Sequence, residues 1–542
     1  MTRFVTPDGV SSWCAATKRV AGFLCAAAVF AAPQQAGATG FHELGQDFVS
    51  REKTEVDLSG YLRMRGEMLR NLDLDRGLDP SGLPLYPVPV SDPKAQTLTH
   101  ADMRFRSDVK LYAPGSLVAV KARFDILDNV ALGSRPDGVP STTASQRADA
   151  DLLRVRRAYG ELLLPFGLVA AGRMGTHWGL GMVANGGDCL DCDSGDASDR
   201  VAFITPLVGH IWALAYDFSA TGAQVPRRGQ NRTIGLDPST DVRTATFAWL
   251  RWKDDLTRAR RTAAGKATVE YGSYVTHRWQ DRDAPATYLA TAQPVDPFAD
   301  GGGGVTARGF KATGFDGWLR LTFPWARIEA EAAFLTATIE QASLVPGVLL
   351  RDPVKSRQVG AALESDFGDA DGTFTGGLDA GYASGDPAPG FGVVQRPGAA
   401  APRAGDLDGP QAIPRKDNRI DNFRFHSDYR VDRILFREIV GAVTDAMYAK
   451  PHARLRITRA ESARLSATAA VIGSTAVQAS STPSGKAPLG IEVDPSLVFE
   501  THSFLAALDY AVLFPMSGFD NPSQNLGAKP AQLVRLRLNY LF

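Results

Sequence analysis

Ala531–Phe542 reads AQLVRLRLNYLF. Taken back from the end, Phe542, Tyr540, Leu538, Leu536 and Val534 share one face. Leu541, Asn539, Arg537, Arg535 and Leu533 share the other. Side chains alternate across a strand with period two, so one face is apolar and the other mostly polar and cationic. A soluble edge strand can alternate the same way. An aromatic pair at the very end better suits the strand that closes a barrel in a bilayer, with lipid outside and water within.

The same alternation recurs upstream in segments of about ten residues separated by turn residues. Leu58, Gly60, Leu62 and Met64 oppose Tyr61, Arg63, Arg65 and Glu67. Met103, Phe105, Val109 and Leu111 oppose Arg104, Arg106, Asp108 and Lys110. Val118, Val120, Ala122, Phe124 and Ile126 oppose Lys121, Arg123 and Asp125. Ala113-Pro114-Gly115 joins the last two into a hairpin. Further strands are expected at Asp151–Leu164, Leu168–Met174, Arg200–Thr205, Gly209–Phe218, Val242–Trp252, Ala267–Trp279, Thr313–Phe323 and Ala326–Glu340. Arg357–Asp366, Thr373–Ala383, Ala453–Arg459, Ala463–Ile472, Gly490–Thr501 and Phe504–Phe514 complete the set. Tight turns such as Leu164–Gly167 and Phe323–Trp325 alternate with long loops at Asn71–Leu98, Pro136–Ala150, Thr176–Asp199, Asp281–Ala307 and Gly385–Arg419. This predicts an all-β fold, a transmembrane antiparallel barrel of about 16–18 strands with long outer loops. A barrel of that size encloses an aqueous channel. One segment departs from the pattern: Val431, Leu435, Ile439, Val443 and Met447 recur every four residues, which predicts a short amphipathic helix in a loop.

The 542 residues carry 59 Lys+Arg against 59 Asp+Glu, a balance that gives no argument for a nucleic-acid partner. No stretch of about 20 apolar residues is present, which excludes a helical membrane protein. The N-terminus has the form of a secretory leader: Arg3, Lys18 and Arg19, then apolar Val20–Ala32, then Ala36-Gly37-Ala38 as an A-x-A cleavage site. The expected division is a signal peptide at 1–38 and an outer-membrane barrel at 39–542 of a Gram-negative bacterium. Cleavage removes Cys14 and Cys25 and leaves Cys189 and Cys192. A cysteine pair in an exported chain suits a disulfide.

Several stretches resemble known outer-membrane proteins. Ala531–Phe542 is similar to the β-signal by which outer-membrane barrels are recognised, making Leu538, Tyr540 and Phe542 the candidate assembly signal for the barrel-assembly machinery. Arg156–Glu161, Pro165-Phe166-Gly167 and Gly172-Arg173 resemble a hairpin of the porin group that includes alginate-export-type barrels. Leu489–Asp494, Asp509-Tyr510-Ala511 and Phe514-Pro515 resemble the closing hairpin of that type. The resemblance covers scattered strands and speaks for fold more than for substrate. Trp178–Asp199 and Phe423–His452 match nothing in that group. They resemble instead an uncharacterised group of large outer-membrane proteins, from which no substrate carries over.

If the barrel reading holds, the polar faces line a lumen. Arg104, Arg106, Lys121, Arg123, Arg156, Arg173, Arg251, Arg320, Arg535 and Arg537 are the candidate solute-binding cations, with Arg454 and Arg456 beside them. Asp125, Glu161, Glu270, Glu329, Glu331, Glu492 and Asp494 are the facing carboxylates. Arg156 and Arg157 are adjacent, so at least one should face inward. Guanidinium rows suit anionic solutes. The plainer alternative is that these charges pair with one another and brace a hydrated wall.

In the acidic loop Gly186–Asp199, Cys189 and Cys192 are expected to form a disulfide. Asp191, Asp193 and Asp196 offer hard oxygen ligands suited to Ca²⁺, although the terminal Glu of the calcium-loop pattern is missing. His177 is a weak candidate for a zinc ligand. Trp212, Tyr216, Trp249, Trp252, Tyr271, Trp279, Trp318, Trp325, Tyr510 and Tyr540 are expected in interfacial girdles, with a sugar-stacking track in the pore as the alternative. The closest acid–base cluster is His426-Ser427-Asp428, and no nucleophile-elbow or zinc-protease motif occurs.

The resulting expectation is a non-enzymatic, porin-like channel passing small hydrophilic solutes, anions among them, through a charged lumen. Its other partners would be outer-membrane lipid and lipopolysaccharide. The alternatives are a barrel plugged by its loops that serves surface interaction, and a barrel hydrolase with a loop-borne His. The sequence sets no oligomeric state.

Overall fold

A computed structural model describes residues 41, 44–45, 51–79, 82–94, 96–115, 117–132, 153–219, 240–283, 306–341, 353–368, 372–388, 390–391, 418–458, 460 and 462–542. The expected leader at 1–38 lies outside them, as do loop 136–150 and most of 281–307 and 385–419.

Eighteen strands form one antiparallel sheet. They are β1 Glu55–Arg70, β2 Thr97–Tyr112, β3 Val118–Ala131, β4 Leu153–Leu164, β5 Gly167–Gly175, β6 Ala197–Leu207, β7 His210–Ser219, β8 Val242–Arg251 and β9 Thr268–Asp283. The second half comprises β10 Thr306–Phe323, β11 Ala326–Ile339, β12 Val354–Phe367, β13 Phe374–Ala383, β14 Ala446–Arg456, β15 Arg464–Ala476, β16 Pro488–Glu500, β17 Phe504–Pro515 and β18 Ala531–Leu541. Each strand pairs with the next, and β1 pairs with β18 from Tyr61↔Leu541 to Arg70↔Gln532. The sheet therefore closes, and every edge that would otherwise leave backbone groups unpaired is removed. Closure is reinforced at the end of the chain. Phe542 N donates to Gly60 O at 3.1 Å, and the Phe542 ring stacks on Phe105 at 5.5 Å.

The outer wall is apolar. Leu58, Val120, Leu162, Leu214, Phe247, Phe315, Phe334 and Leu536 all point outward and are exposed. Such a surface is unfavourable in water and favourable in hydrocarbon. Aromatics band it at two levels. His210, Trp212, Trp249 and Tyr271 cluster near the short-turn end, with Trp249 and Tyr271 centroids 5.7 Å apart. Tyr216, Phe218, His277 and Trp279 cluster near the other end. Trp318 departs from the girdle expectation: its side chain is buried on the inner face, where Nε1 donates to Glu329 Oε1 at 2.7 Å.

Even-to-odd connections are short and odd-to-even connections are long, the usual asymmetry of outer-membrane barrels. The exception carries a helix, α1 Asp255–Ala263, between β8 and β9. Asp254 caps it, accepting from Thr257 N at 2.7 Å, and Arg260 and Arg261 sit in its last turn. Those cap and charge signals are visible in the sequence, although strand alternation passes over them.

Two long connections fold into the barrel. The β5–β6 segment, residues 176–196, and the β13–β14 segment, residues 418–445, lie inside the wall and touch each other. His426 N donates to Met182 O at 2.7 Å, for example. Their apolar side chains make a core of their own. Met182, Phe423, Phe425, Ile434, Leu435 and Phe436 pack with Ala446, Ile472, Leu513 and Leu533 of the wall. The expected helix across 431–447 shrinks to a five-residue π-helical turn, Leu435–Ile439, and β14 already begins at Ala446. The cause is local competition for backbone donors. Glu492 accepts from the N–H groups of Arg433, Ile434 and Leu435 at 2.8–3.0 Å, and Asp432 accepts from Phe436 N at 2.9 Å.

Candidate functional site: an ion-paired knot in the lumen

The inner faces of β2–β4 and β18 carry most of the predicted lumen cations, and several of these, joined by Arg63 and Arg65 of β1, converge on the Cys189–Cys192 loop. Arg104 donates to Cys192 O at 2.6 Å and Asp193 O at 2.7 Å. Arg106 donates to Gly187 O at 2.5 Å while holding Asp125 at 2.6 and 2.8 Å. Arg63 reaches Cys192 O at 3.0 Å. Arg123 holds Asp108 at 2.6 and 2.9 Å and also pairs with Asp188. Guanidinium groups suit this work because their planar fork satisfies carbonyls and carboxylates together.

The expected disulfide joins Cys189 and Cys192. The loop closes on itself where Gly187 (φ 68°) meets Ser194: a Cβ on Gly187 would lie 2.1 Å from Ser194 O, so only glycine fits.

The second infolded segment grips the loop from the far side. Asp428 accepts from Asp193 N at 2.8 Å, Ser194 N at 2.9 Å and Ser194 Oγ at 2.6 Å. Arg430 pairs with Asp193 at 2.7 Å, and Arg437 with Asp191 at 2.5 Å. Burial alone would raise the loop carboxyls. The Arg437, Arg537 and Arg535 charges instead hold Asp191 well below its usual range, and Arg65, Arg437 and Arg430 do the same for Asp193. Asp188 is held down against burial by Arg123 and Arg157.

The carboxylates expected to bind calcium are thus engaged differently. Asp191 and Asp193 face guanidinium groups that would repel a divalent cation, and Asp196 lies 3.4 Å from His426 Nε2. Among the described residues no group of three or more His, Cys, Asp or Glu is placed to hold a metal. His177 is spent inside the loop, where its Nδ1 accepts from Gly186 N at 3.2 Å. In His426-Ser427-Asp428, Asp428 N donates back to His426 Nδ1 at 3.0 Å while its carboxylate serves residues 193 and 194, so the three side chains form no relay.

Other predicted cations sit as follows. Lys121 pairs with Glu161 at 3.0 Å, Arg320 with Glu329 at 2.8 Å, and Arg537 with Asp509 at 2.8 Å. Arg535 pairs with Glu67 and, at 3.1 Å, with Glu438. Arg156 and Arg157 both face inward. The β3–β4 register shifts between Arg123 and Phe124, leaving Arg156 as the extra residue of a bulge. Arg156 then reaches Asp125 at 2.9 Å, and Arg157 reaches Asp188 at 2.8 Å.

Arg173 and Arg251 are corrections, because both point outward. Arg173 shares the outer face with Ala171 and pairs with Asp199 at 2.7 Å, each about half exposed (49% and 51%). Arg251 shares parity with Phe247 and Trp249 and ends β8 beyond the aromatic level, where a long cation can reach water. Sequence reading missed Arg430, Arg437 and Glu438 and singled out Asp428 only as part of an acid–base cluster, since nothing local shows that this loop enters the lumen.

Elsewhere the inner wall stays charged and partly exposed. Asp379, Lys450 and His452 form one cluster, with Nζ of Lys450 3.4 Å and Nε2 of His452 3.2 Å from the Asp379 carboxylate. Arg327 spans Glu329, Glu364 and Asp366 at 2.6–3.1 Å.

No family model and no curated protein matches the chain. The resemblance of its hairpins to alginate-export-type porins therefore assigns neither family nor cargo. Solved structures show distant likeness. In-vitro folded OmpT, an outer membrane protein of Vibrio cholerae, is 9% identical, with 92% of this chain and 100% of that chain covered and a TM-score of 0.36. The outer membrane channel DcaP of Acinetobacter baumannii is 10% identical, with 91% and 99% covered and a TM-score of 0.36. OpdK from Pseudomonas aeruginosa is 10% identical, with 90% and 98% covered and a TM-score of 0.41.

Proposed function

We propose that this chain is an outer-membrane channel for small hydrophilic solutes, exported by its leader and inserted through a C-terminal signal at Leu538, Tyr540 and Phe542. The observation that carries the reading is the charged, partly exposed interior of a closed barrel with an apolar exterior. Asp379, Lys450 and His452 keep 16%, 21% and 24% of their side-chain surface exposed inside that wall. Buried charge without water or partners is costly, so side chains of this kind belong to a hydrated lumen.

In this reading the arginines expected to bind solute chiefly brace the constriction. Their charges are met by Glu67, Asp125, Asp188, Asp191 and Asp509, which leaves little net field to favour anions. Selection then rests on size more than on charge sign. The knot itself favours a second reading, a plugged barrel serving surface interaction, because it is both ion-paired and backed by an apolar core.

Swelling of liposomes containing the protein separates the two. Uptake of a pentose, a disaccharide and a trisaccharide at falling rates is expected for the channel. Absence of uptake for all three, from protein shown to be folded, would establish the plug.

A further inference from the structure

The lumen wall is not uniform. Opposite the arginine-rich side, the inner positions of β7–β9 carry Ala213, Ala215, Thr244, Thr246, Ala248, Gly272, Tyr274 and Thr276. Between this wall and the infolded segment lies a cavity of about 170 Å³. At roughly 10–15 Å³ for each water-sized occupant, it holds about a dozen heavy atoms, the size of a hexose.

Its walls are aromatic and hydroxylic. Trp178 meets Tyr274 edge-on at 5.0 Å, and the Phe41 ring lies 5.4 Å from the Arg200 guanidinium. Thr246 and Thr276 hydroxyls lie 3.2 Å apart, and Thr176 and Ser198 hydroxyls 3.3 Å apart. Each hydroxyl has one donor and two acceptor positions, so capacity for a ligand remains after these contacts. The two charged side chains that line the cavity pair with each other, Arg200 holding Asp217 at 2.5 and 2.8 Å. A charged ligand would be desolvated here with no uncompensated partner, which is unfavourable. A neutral polyol would exchange water for hydroxyl partners and lay its C–H faces on the aromatic rings.

We propose that this cavity is a binding subsite for a neutral, hexose-sized polyol on the β7–β9 side of the lumen. The inference rests on the channel reading only in that the ligand must reach the lumen from water.

The test is calorimetric titration of the detergent-solubilised full chain with glucose, galactose and glucuronate, alongside single-channel recordings with the same probes. Thr246→Val/Thr276→Val keeps side-chain shape and removes two hydroxyls. Tyr274→Phe is a milder companion should the double variant fail to fold. Saturable hexose binding is expected, weakened about five-fold or more in the double variant with open-channel conductance unchanged. A conducting wild type that binds no hexose would overturn the subsite while leaving the channel standing. So would equal binding by the variant, or binding of glucuronate alone. Hexose binding by a protein that never conducts would uphold the subsite and overturn the channel.

Discussion

Asp191→Asn removes one negative charge from the centre of the knot while keeping its shape. Asp191 lies 3.3 Å from Arg65 Nη1, 2.5 Å from Arg437 Nη1 and 3.8 Å from Arg537 Nη1. The substitution leaves these cations facing one another with less to oppose them. Breaking a buried ion pair by removing one partner costs about 3–5 kcal/mol. Asp191 retains 18% side-chain exposure, and the Asn carbonyl can still accept one guanidinium hydrogen bond, so the low end applies, about 3 kcal/mol. Each 1.36 kcal/mol is a factor of ten, so local opening of the loop should become about 150-fold more frequent. Hydrogen exchange reads this directly. The amides of Asp193 and Ser194, which donate to Asp428, should exchange about 100-fold faster, while barrel amides such as that of Leu536 stay unchanged. Acceleration below about five-fold would mean that the pairs contribute no more than exposed surface pairs do, under about 1 kcal/mol, and the account of the knot would fail.

Three further outcomes follow from the same geometry. Cys189→Ser/Cys192→Ser opens a very short covalent loop, for which chain entropy gives a loss on the order of 2 kcal/mol. Exchange within 186–196 should rise while the melting of the barrel stays put. Burial, then the charge of Asp494, pushes the Asp432 carboxyl up. A carboxyl raised in the folded state contributes most below its unfolded value of about 3.9, and that contribution is lost as pH rises through the folded value. Asp432→Asn should therefore protect residues 432–440 from proteolysis better than wild type at alkaline pH, and equally near pH 4. Arg173→Ala should leave conductance unchanged, since its pair with Asp199 is exposed and outside the lumen, whereas Arg104→Ala should increase open-channel noise.

The barrel was legible because side-chain alternation is local. A strand with lipid on one side and water on the other must alternate, and β1, β2, β3 and β18 do so in the residues named from sequence. Legibility ended where that contrast ended. Strand β5 has lipid outside and a packed apolar cluster of Leu168, Ala170, Met174 and Trp178 inside, so its two faces read alike and the sequence pattern puts Arg173 on the wrong one. Strand β8 shows Ala248 and Leu250 inward against Trp249 and Arg251 outward for the same reason. The bulge at Arg156 breaks the period itself. The knot depends on Asp193 and Asp428 meeting across the lumen, far apart in the chain, and no local pattern encodes that contact.

Passage of water and ions past the knot is read by single-channel conductance of the refolded protein in a planar bilayer with salts of unequal ion size. Discrete, long-lived open steps with weak preference between anion and cation are expected. Silence from protein verified as folded and inserted would contradict this and establish a plugged barrel.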